Sequence, residues 1–340
     1  MKKLTGKQLA ELLNVSPSTI SNVLNGRYDR VSEATKKRVW DAVEKYGVRH
    51  LPSRDRRISL EKRNIAFIVL SEHSNEWFLE NLHGIADTCR KRNYILSQVL
   101  FPVWDPDYFR FIFSTLDLSG AILITTLNHP VTDLLRTFGI PYVMVDSYDD
   151  ETTHNTVHLD NFKGAFMAVE YLIGLGHRKI GLLAGIPHWS SAIYRERGYR
   201  AALEKYQIPW QADLAYNGCF TFFGGFMGTE VLLDRHPDLT AIFAASDEMA
   251  VGALKKAAEL GLEVPGDLSV VGFDGHSIGQ LGSVPLTTVQ TNPFMVGVNA
   301  CEMLIGMLES DSSEVAKVVM DVSLSIRGTT GRPKPAAAAR

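Results

Sequence analysis

The chain has 340 residues, of which 45% are hydrophobic and 21% charged, and its formal net charge is −3. This composition is that of a globular protein with a sizeable core, and the length predicts two or three folded units. No stretch is long and apolar enough to span a bilayer, and polar residues interrupt the opening segment too often for a signal peptide. We therefore expect a cytoplasmic protein. The lone cysteines Cys89, Cys219 and Cys301 predict neither disulfides nor a thiolate metal site.

The net charge conceals an asymmetry between the two ends of the chain. Residues 1–63 contain fifteen Lys and Arg against seven Asp and Glu, which gives +8, whereas the remainder carries −11. A basic head on an acidic body is the charge distribution expected of a nucleic-acid-binding segment attached to a domain with another task. A basic terminus can also be a merely solvated face, so the charge needs support from motifs.

The first predicted helix lies near the amino terminus. Thr5 and Gln8 have the spacing of a capping box, in which each side chain satisfies a backbone N–H group of the other residue. The apolar stripe that follows consists of Leu9, Leu12 and Leu13. We expect this helix to end near Asn14.

Two further helices complete the predicted head. Ser16 caps the second helix and Pro17 suits its first turn, and the helix ends at Asn25-Gly26. A third helix runs from a Ser32 cap to Gly47. The residues expected to face inward are Ile20, Val23, Leu24, Val39 and Val43. The pattern predicts three short helices that share one small core, with a tight turn between the first two.

Two runs of the head, LTGKQLAELLNVSPSTISNVLNG and VSEATKKRVWDAVEKYG, contain these three predicted helices. By these runs the head resembles the helix-turn-helix domain of the lactose-repressor family of bacterial regulators. The resemblance implies that Pro17, Ser18 and Asn22 read base edges in the major groove, where an asparagine can pair bidentately with adenine. It also implies a set of phosphate contacts from Thr5, Ser16, Thr19, Ser21 and Asn25. For Ser16 the alternative role is a pure helix cap, and the two roles are compatible.

The linker departs from the pattern of this family. Its relatives carry a short hinge helix, usually Ala-Arg-x-Leu, whose leucine wedges into the minor groove. Here the stretch YGVRHLPSRDRRISLEKRN lacks that motif, and Arg57 aligns with the leucine, with Ile58 or Leu60 as substitutes in another register. One interpretation is an arginine-rich arm of Arg54, Arg56 and Arg57 that grips the minor groove or phosphates. The other is a flexible basic tether.

The rest of the chain predicts an α/β fold. From Asn64 onward, amphipathic helical stretches separate the apolar runs IAFIVL, AILITT, YVMVD, IGLLAG, AIFAAS and LSVVGFD. The first helices are expected near Trp77 to Arg92, Val131 to Phe138 and Phe162 to Leu175. Continuous apolar strands separated by helices indicate doubly wound parallel sheets, whose ligands lie at the carboxyl ends of strands.

This body resembles the sensor of the same family. The motifs GHRKIGLLAG, RERGYRAAL, SDEMAVGAL, VPGDLSVVGFD and PLTTVQ occur in the family's order and spacing. The resemblance implies two lobes like those of periplasmic sugar-binding proteins, with chain crossings near residues 160, 288 and 320 and a ligand cleft between the lobes. The expected organisation is a head at 1–50, a basic linker or atypical hinge at 51–63, a body at 64–330 and a disordered tail at 331–340. Within the body, lobe 1 comprises 64–160 and 289–320, and lobe 2 comprises 161–288 and 321–330.

Three charged residues are candidate ligand contacts. Arg195 matches a family arginine three residues before Gly198, and its planar fork can hold two ligand oxygens; the alternative is a surface ion pair. Asp274 ends the strand SVVGFD and is expected to accept hydrogen bonds from ligand hydroxyls. Asp146 ends YVMVD in the same way, although a strand-end aspartate often caps the next turn.

Polar and aromatic residues complete the predicted pocket. Ser191 matches a pocket position, and Ser246 replaces the asparagine common in relatives, while the adjacent Asp247 is expected to cap a helix beginning at Glu248. The aromatic positions that stack on ring-shaped ligands correspond to Trp77, Phe78 and Phe220, each of which has a core residue as its alternative. Thr291 replaces a frequent glutamine, with Gln290 one place earlier, so that side of the pocket is left open.

Other functional classes lack their motifs here. No Walker loop, Gly-x-Ser-x-Gly elbow or His-x-x-x-His and Cys-x-x-Cys pattern suggests an enzyme, a metal site or a cofactor. A transport-linked binding protein would share the body but needs a signal peptide and no head. The sequence therefore predicts a homodimeric transcription regulator, more often a repressor in this family, that binds a palindromic operator under allosteric control. A sugar or sugar derivative is the first expectation for the effector, and a nucleobase or nucleoside is the alternative.

Overall fold

The computed structural model describes residues 4–24, 31–46, 63–70, 76–100, 104–151, 153–310 and 315–334. The chain divides into two compact units, Met1–Arg63 and Asn64–Arg340. In the described ranges, no helix is long and apolar enough to cross a membrane. Several predicted positions lie outside those ranges, namely Asn25, Gly47, Arg54, Arg56, Arg57, Ile58, Leu60 and residues 335–340.

Within residues 4–24 and 31–46, the first unit contains three helices: α1 (Gly6–Leu13), α2 (Pro17–Leu24) and α3 (Glu33–Tyr46). The predicted capping box of α1 is confirmed. The Thr5 side chain accepts a hydrogen bond from the Gln8 backbone N–H (3.3 Å), and the Gln8 side chain accepts one from the Thr5 backbone N–H (2.9 Å). Asn14 ends the helix in a left-handed conformation with φ of 53°. Asparagine tolerates this conformation better than most residues, which explains the sharp stop.

Local caps and one small core hold the other two helices. Ser16 Oγ accepts a hydrogen bond from the Thr19 backbone N–H (3.0 Å), and Ser32 Oγ accepts one from the Thr35 backbone N–H (3.3 Å). The shared core consists of Leu9, Ala10, Ile20, Val23, Val39 and Ala42. Arg38 also donates to the Leu13 carbonyl oxygen at the end of α1 (2.8 Å). The three-helix head therefore forms as predicted within the described residues.

In the described part of the second unit, the strands form two six-stranded sheets. The strands of the first sheet are β1 (Asn64–Val69), β2 (Ile95–Leu100), β3 (Gly120–Ile124), β4 (Tyr142–Val145), β5 (Thr156–Leu159) and β11 (Lys317–Met320). Those of the second are β6 (Ile180–Ala184), β7 (Ala215–Asn217), β8 (Ala241–Ala244), β9 (Ser269–Asp274), β10 (Thr287–Gln290) and β12 (Ser323–Ser325). The first sheet has the order β11-β5-β4-β3-β1-β2 and is parallel throughout, and the second has the order β12-β10-β9-β8-β6-β7. Among these described strands, only β10 and β12 pair in the antiparallel sense.

Helices cover both faces of the two sheets. They are α4 (Glu76–Arg92), α5 (Pro106–Thr115), α6 (Val131–Thr137), α7 (Asn161–Leu175), α8 (Ser190–Lys205), α9 (Phe222–Arg235), α10 (Asp247–Glu259) and α11 (Pro293–Glu309). Two short 3₁₀ helices span Ala212–Leu214 and Ser277–Gln280. Such layered α/β/α lobes are the predicted doubly wound architecture, and their ligand-binding edge is the carboxyl end of the strands.

The chain crosses between the two sheets three times. The crossings follow β5 at Leu159, β10 at Gln290 and β11 at Met320. The last crossing is short, because only two residues separate β11 from β12. These three connections join the lobes along one side and leave the strand ends facing each other across a cleft.

Two details of packing bear on the site. Gly198 allows α8 to approach α7 closely, because a Cβ at this position would overlap the Phe162 carbonyl oxygen. The close approach brings Arg195, one turn earlier on α8, against α7. At the other end of lobe 2, the backbone N–H of Gly331 donates to Ser269 Oγ (3.0 Å), so the packed chain extends beyond the predicted boundary at residue 330.

Candidate ligand-binding cleft and operator-binding surface

A cleft lies between the two lobes at the carboxyl ends of their strands. It contains about 520 Å³ of space not filled by protein atoms, part of which is open to solvent. The residues that line it are Trp77, Phe78, Asp146, Ile186, Trp189, Ser191, Arg195, Phe220, Ser246 and Asp274. The structure therefore brings all eight sequence-predicted ligand residues into one cleft. Ile186 and Trp189 were missed, although their place in the loop after β6 could have indicated them.

Arg195 lies at the base of the cleft and is 4% exposed. Its Nη2 is 3.0 Å from Asp274 Oδ1, its Nε donates to Asn161 Oδ1 (2.8 Å), and its Nη1 donates to the Ala245 carbonyl oxygen (2.5 Å). The guanidinium carbon also lies 3.7 Å from the centre of the Phe273 ring. The alternative of a surface ion pair is therefore wrong, because both partners are buried at the cleft. Two of the five N–H groups donate hydrogen bonds to protein and a third belongs to the ion pair with Asp274, which leaves two further N–H groups on the guanidinium.

Asp274 owes its position to the end of strand β9. Its φ is 114°, a backbone conformation that side-chain-bearing residues rarely adopt, and Gly275 follows with φ of 81°. Thr291 holds this turn, since its Oγ1 donates to the Asp274 carbonyl oxygen (2.7 Å) and its backbone N–H to the same atom (3.2 Å). Thr291 thus positions a lining residue from behind.

Asp146 faces Arg195 from the other lobe. It ends β4 with φ of 55°, is 6% exposed, and accepts a hydrogen bond from Asn161 Nδ2 (2.9 Å). Ser191 at the start of α8 is a further hydrogen-bond partner. Burial raises the pKa of the Asp146 carboxyl group, against the opposing effect of the Arg195 charge. Asn161 therefore links the two charged side chains, with its amide nitrogen on Asp146 and its oxygen on Arg195.

Of the adjacent residues Ser246 and Asp247, Ser246 lines the cleft as predicted and also caps a helix, whereas Asp247 has a role other than the one predicted. Ser246 is the N-cap of α10, and its Oγ accepts a hydrogen bond from the Met249 backbone N–H (3.3 Å). The prediction that Asp247 caps a helix from Glu248 is wrong, because Asp247 is already helical and its side chain turns into the lobe. It accepts hydrogen bonds from the backbone N–H of His276 (2.7 Å) and from Thr288 Oγ1 (2.5 Å). Burial, reinforced by the charge of Asp274, raises the pKa of Asp247 to about 8.

Aromatic side chains form the apolar walls. Trp77 and Phe78 come from the first turn of α4 in lobe 1, with ring centres 5.3 Å apart in an edge-to-face arrangement. Phe220 comes from lobe 2, where Cys219 and Phe220 both adopt left-handed backbone conformations. This turn lays the Phe220 ring against Gly185, at which a Cβ would overlap the ring. A ring-shaped ligand would thus meet aromatic surfaces from both lobes.

Of the described residues of the head that are predicted to contact DNA, Thr5 caps α1, Ser16 precedes α2, and the others lie along α2. Ser16, Pro17, Ser18 and Ser21 are exposed, whereas Thr5, Thr19 and Asn22 are half-buried. Ser16 Oγ lies 2.7 Å from Ser18 Oγ and 2.8 Å from Thr19 Oγ1, in addition to its bond with the Thr19 backbone. The cap role of Ser16 is therefore observed, and its hydroxyl belongs to a cluster at the helix start.

Comparison with known proteins identifies the family to which this combination of head and body belongs. The family model described as bacterial regulatory proteins, lacI family, matches residues 7–48, and the one described as periplasmic binding protein-like domain matches residues 169–330. The HTH-type transcriptional repressor CytR of Escherichia coli K12 is 31% identical over 329 residues, which cover 96% of each chain. The chain belongs to the lacI family. The predicted membership is thus confirmed, and this family is one of transcription regulators.

Two solved structures and a further relative are also similar to this lacI-family chain. The transcriptional regulator CelR in complex with cellobiose superimposes with a TM-score of 0.76 at 26% identity, over 96% of this chain and 100% of that one. The lac repressor dimer bound to operator and the anti-inducer ONPF gives 0.79 at 25% identity, over 97% and 100%. CelR of Thermobifida fusca is 28% identical over 339 residues, 96% of this chain and 98% of that protein. The predicted fold class is confirmed, and the protein is a DNA-binding, ligand-responsive transcription regulator.

Direct contacts join the two lobes of this lacI-family body beside the cleft. The Glu76 carboxylate of lobe 1 accepts hydrogen bonds from the backbone N–H (3.1 Å) and Oγ (2.8 Å) of Ser277 in lobe 2. Elsewhere, the Tyr148 backbone N–H donates to Ser190 Oγ (2.9 Å), and the Tyr148 ring stacks on Tyr194 with centres 4.6 Å apart. Sequence reasoning missed these contacts. They tie the angle between the lobes to residues adjacent to the cleft lining.

Proposed function

We propose that this lacI-family protein is a repressor that binds a palindromic operator as a homodimer and responds to a small polar ligand held between its lobes. The observation that supports this proposal is the cleft itself, whose lining combines one buried ion pair, two strand-end carboxyl groups and aromatic walls from both lobes. Its site of action is the cytoplasm, where operator DNA lies. The leading ligand class is a sugar or sugar derivative, and nucleobases or nucleosides are the alternative.

Each lining residue has a chemical role in this proposal. Asp146 and Asp274 accept hydrogen bonds from ligand donors, and the two remaining N–H groups of Arg195 donate to a ligand oxygen. Ser191 and Ser246 add short hydroxyls, and the rings of Trp77, Phe78 and Phe220 cover the apolar face of the ligand. The relatives that support a sugar are the CelR–cellobiose complex and the regulator from Enterococcus faecium with bound ribose.

The proposed coupling uses the two lobes as a two-state element. A ligand that contacts both lobes favours one inter-lobe angle over the other, because only differential affinity shifts a conformational equilibrium. In a homodimer that angle sets the spacing of two heads, and therefore their fit to two half-sites. Pro17, Ser18 and Asn22 would read bases, and Thr5, Ser16, Thr19, Ser21 and Asn25 would hold phosphates. The arginines at 54, 56 and 57 serve either as a minor-groove arm or as part of a tether.

Two experiments test this function, the first on DNA binding by the head and the second on ligand binding in the cleft. An operator selected from random DNA with the full-length protein is titrated against that protein and against a chain lacking residues 1–60. We expect operator binding only with the full-length protein, with affinity that falls steeply as salt is raised. Retained binding by the shortened chain would falsify the assignment of the head.

The cleft is tested in parallel by calorimetric titration of sugars and nucleosides. We expect Phe220→Ala and Arg195→Ala to weaken binding at least about tenfold, the loss expected from one interaction of about 1.4 kcal/mol. Arg197→Ala is the matched control, because Arg197 is an exposed arginine on the same helix, paired with Asp150 at 3.2 Å. Undiminished affinity in the folded Phe220→Ala and Arg195→Ala variants would place the ligand elsewhere.

A further inference from the structure

The charge of the cleft restricts what it can bind. Among the described residues that line it, Arg195 is the only cation, and it faces two carboxyl groups, those of Asp146 and Asp274. With both carboxyl groups ionised the lining carries a net charge of −1. Burial raises the pKa of Asp146 and so favours its protonated form. If Asp146 is protonated, the net charge of the lining is zero. In neither state does the described lining offer a positive charge in excess.

The positive charge of Arg195 is also already committed to the protein. Asp274 pairs with it at 3.0 Å, and the Asn161 oxygen and the Ala245 carbonyl oxygen accept two further N–H groups. One guanidinium face lies on the Phe273 ring, 3.7 Å from its centre. A ligand phosphate or carboxylate would have to compete with Asp274 for this cation. The buried Asp274 would then lose its counter-charge, which is strongly unfavourable for a carboxylate held away from water.

Most helix amino termini at the cleft, the other common anion-binding elements in such folds, are complemented by protein carboxyl groups. Four helices begin beside lining residues, namely α4, α8, α9 and α10. Glu76 lies in the first turn of α4 and Asp247 in that of α10, and at α8 Asp146 is hydrogen bonded to Ser191 of the first turn. The first turn of α9 has no acidic residue, and Thr221 Oγ1 caps it by accepting a hydrogen bond from the Gly224 backbone N–H (2.9 Å). The partial positive charge thus meets a side-chain carboxyl group at three of these helix ends and a neutral cap at the fourth.

We infer that the effector of this protein is an uncharged molecule, with O–H or N–H donors for Asp146 and Asp274 and an apolar ring face for the aromatic walls. The cleft rejects the phosphorylated or carboxylated counterpart of the same molecule. This inference rests on the proposed function of the cleft and narrows its ligand class. The shared chemistry covers both an unphosphorylated sugar and a nucleoside, and the arms of the test distinguish them.

The test uses matched pairs of probes that differ by one charged group. The pairs are glucose and glucose 6-phosphate, glucose and glucuronate, ribose and ribose 5-phosphate, cellobiose and cellobiose 6′-phosphate, and uridine and uridine 5′-monophosphate. Binding to the full-length protein is followed by calorimetry and by tryptophan fluorescence, since Trp77 and Trp189 line the cleft. In at least one pair we expect the neutral member to bind at least about 100-fold more tightly, because an uncompensated anion must be desolvated. Operator binding is measured beside each titration.

The outcomes separate this inference from the function on which it rests. A charged probe that binds as tightly as its neutral partner, in a protein that still binds its operator, would overturn the inference and leave the regulator assignment intact. No response to any probe would contradict the proposed ligand classes and the inference with them. A wild-type protein that binds no operator, either alone or with any probe, would instead contradict the proposed function.

A variant tests whether charge is the cause of the rejection. Asp274→Asn removes the carboxyl group that pairs with Arg195 and keeps an amide of the same shape. The Arg195 charge is then uncompensated by Asp274, so we expect the preference for the neutral member to fall at least about fivefold, as a change of roughly 1 kcal/mol implies. Asp150→Asn is the matched control, because Asp150 is an exposed aspartate outside the cleft lining. An unchanged preference in a folded Asp274→Asn protein would show that shape, not charge, excludes the anions and would overturn the charge argument.

Discussion

The head and the cleft both present short polar side chains to a partner, but they hold them by different means. In the head, the hydroxyl groups of Ser16, Ser18 and Thr19 are bonded to one another within three residues of sequence, at an exposed or half-buried surface. In the cleft, Arg195 bonds to groups 34 and 50 residues away, and it is almost fully buried. Recognition in the head is therefore separable from stability, whereas in the cleft the same contacts serve both.

The largest expected effect is that of removing the cleft cation. Arg195→Ala leaves Asp274 buried without its counter-charge, so we expect the free energy of unfolding to fall by about 3–5 kcal/mol. Urea denaturation followed by circular dichroism measures this loss. The exposed Arg197→Ala variant should change stability by less than about 0.5 kcal/mol. Combining Arg195→Met with Asp274→Asn should restore part of the lost stability, and a double variant less stable than Arg195→Ala would contradict the argument.

The second effect is a pH dependence located at Asp247. Its pKa rises from an ordinary value of 3.8 to about 8 in the folded protein, so the folded state holds a proton that the unfolded state has released. The stabilisation is complete below pH 3.8 and is lost as the pH rises through about 8. We expect the slope to approach 1.4 kcal/mol per pH unit at most, about one proton. Asp247→Asn should flatten the dependence of thermal stability between pH 5 and 8, and an unchanged slope would exclude Asp247 as its source.

The third effect is a loss of operator affinity in a head that keeps its fold. Asn22→Ala should weaken operator binding by about 1–3 kcal/mol, the range of one bidentate base contact. Because Asn22 is half-buried and outside the small core, the free energy of unfolding should change by less than about 0.5 kcal/mol. Fluorescence anisotropy with the selected operator and a urea titration measure the two quantities. A stability loss as large as the affinity loss would remove the contrast between head and cleft.

The smallest effect is expected from the capping box. Thr5→Ala removes the side chain that accepts the Gln8 backbone N–H, which costs about 1 kcal/mol of local helix stability. Hydrogen exchange in the full-length protein should therefore become about fivefold faster at the amides of α1 and stay unchanged in the body. Equal acceleration in both units would mean that the cap acts beyond its own helix.

The sequence by itself determined the features that depend on local spacing. The Thr5–Gln8 box, the Ser16 cap and the apolar runs of the central strands are patterns over a few residues, and each forms the element it predicts. The predicted strand ends also indicated where the ligand site lies. Because ligands in such folds lie at the carboxyl ends of parallel strands, Asp146 after β4 and Asp274 at the end of β9 could each be predicted to line a site. The two strands belong to different sheets, so only the packing of the lobes brings both residues into one cleft.

Strand β2 shows where such patterns fail. Only one of its six residues is buried, since it lies at the edge of the first sheet, and Ile95 and Leu100 are exposed. Without a run of buried apolar residues, or a clear alternation, the periodicity that indicates a strand is missing. The inter-lobe contact between Glu76 and Ser277 has no local pattern at all, because its partners are 201 residues apart.

Tertiary structure alone decided which polar neighbours face the cleft. Ser246 and Asp247 are adjacent, and both residue types are good helix caps, so local preference could not assign their roles. The Asp247 side chain turns inward because its carboxyl oxygens accept hydrogen bonds from His276 and Thr288, which lie 29 and 41 residues away in the sequence. Ser246 therefore caps the helix and lines the cleft. Likewise the arginine at 195 was visible in the sequence, but its commitment to Asp274 and Asn161 was not. A buried charge takes its partners from whatever the fold brings near it, and only the packed lobes determine which groups those are.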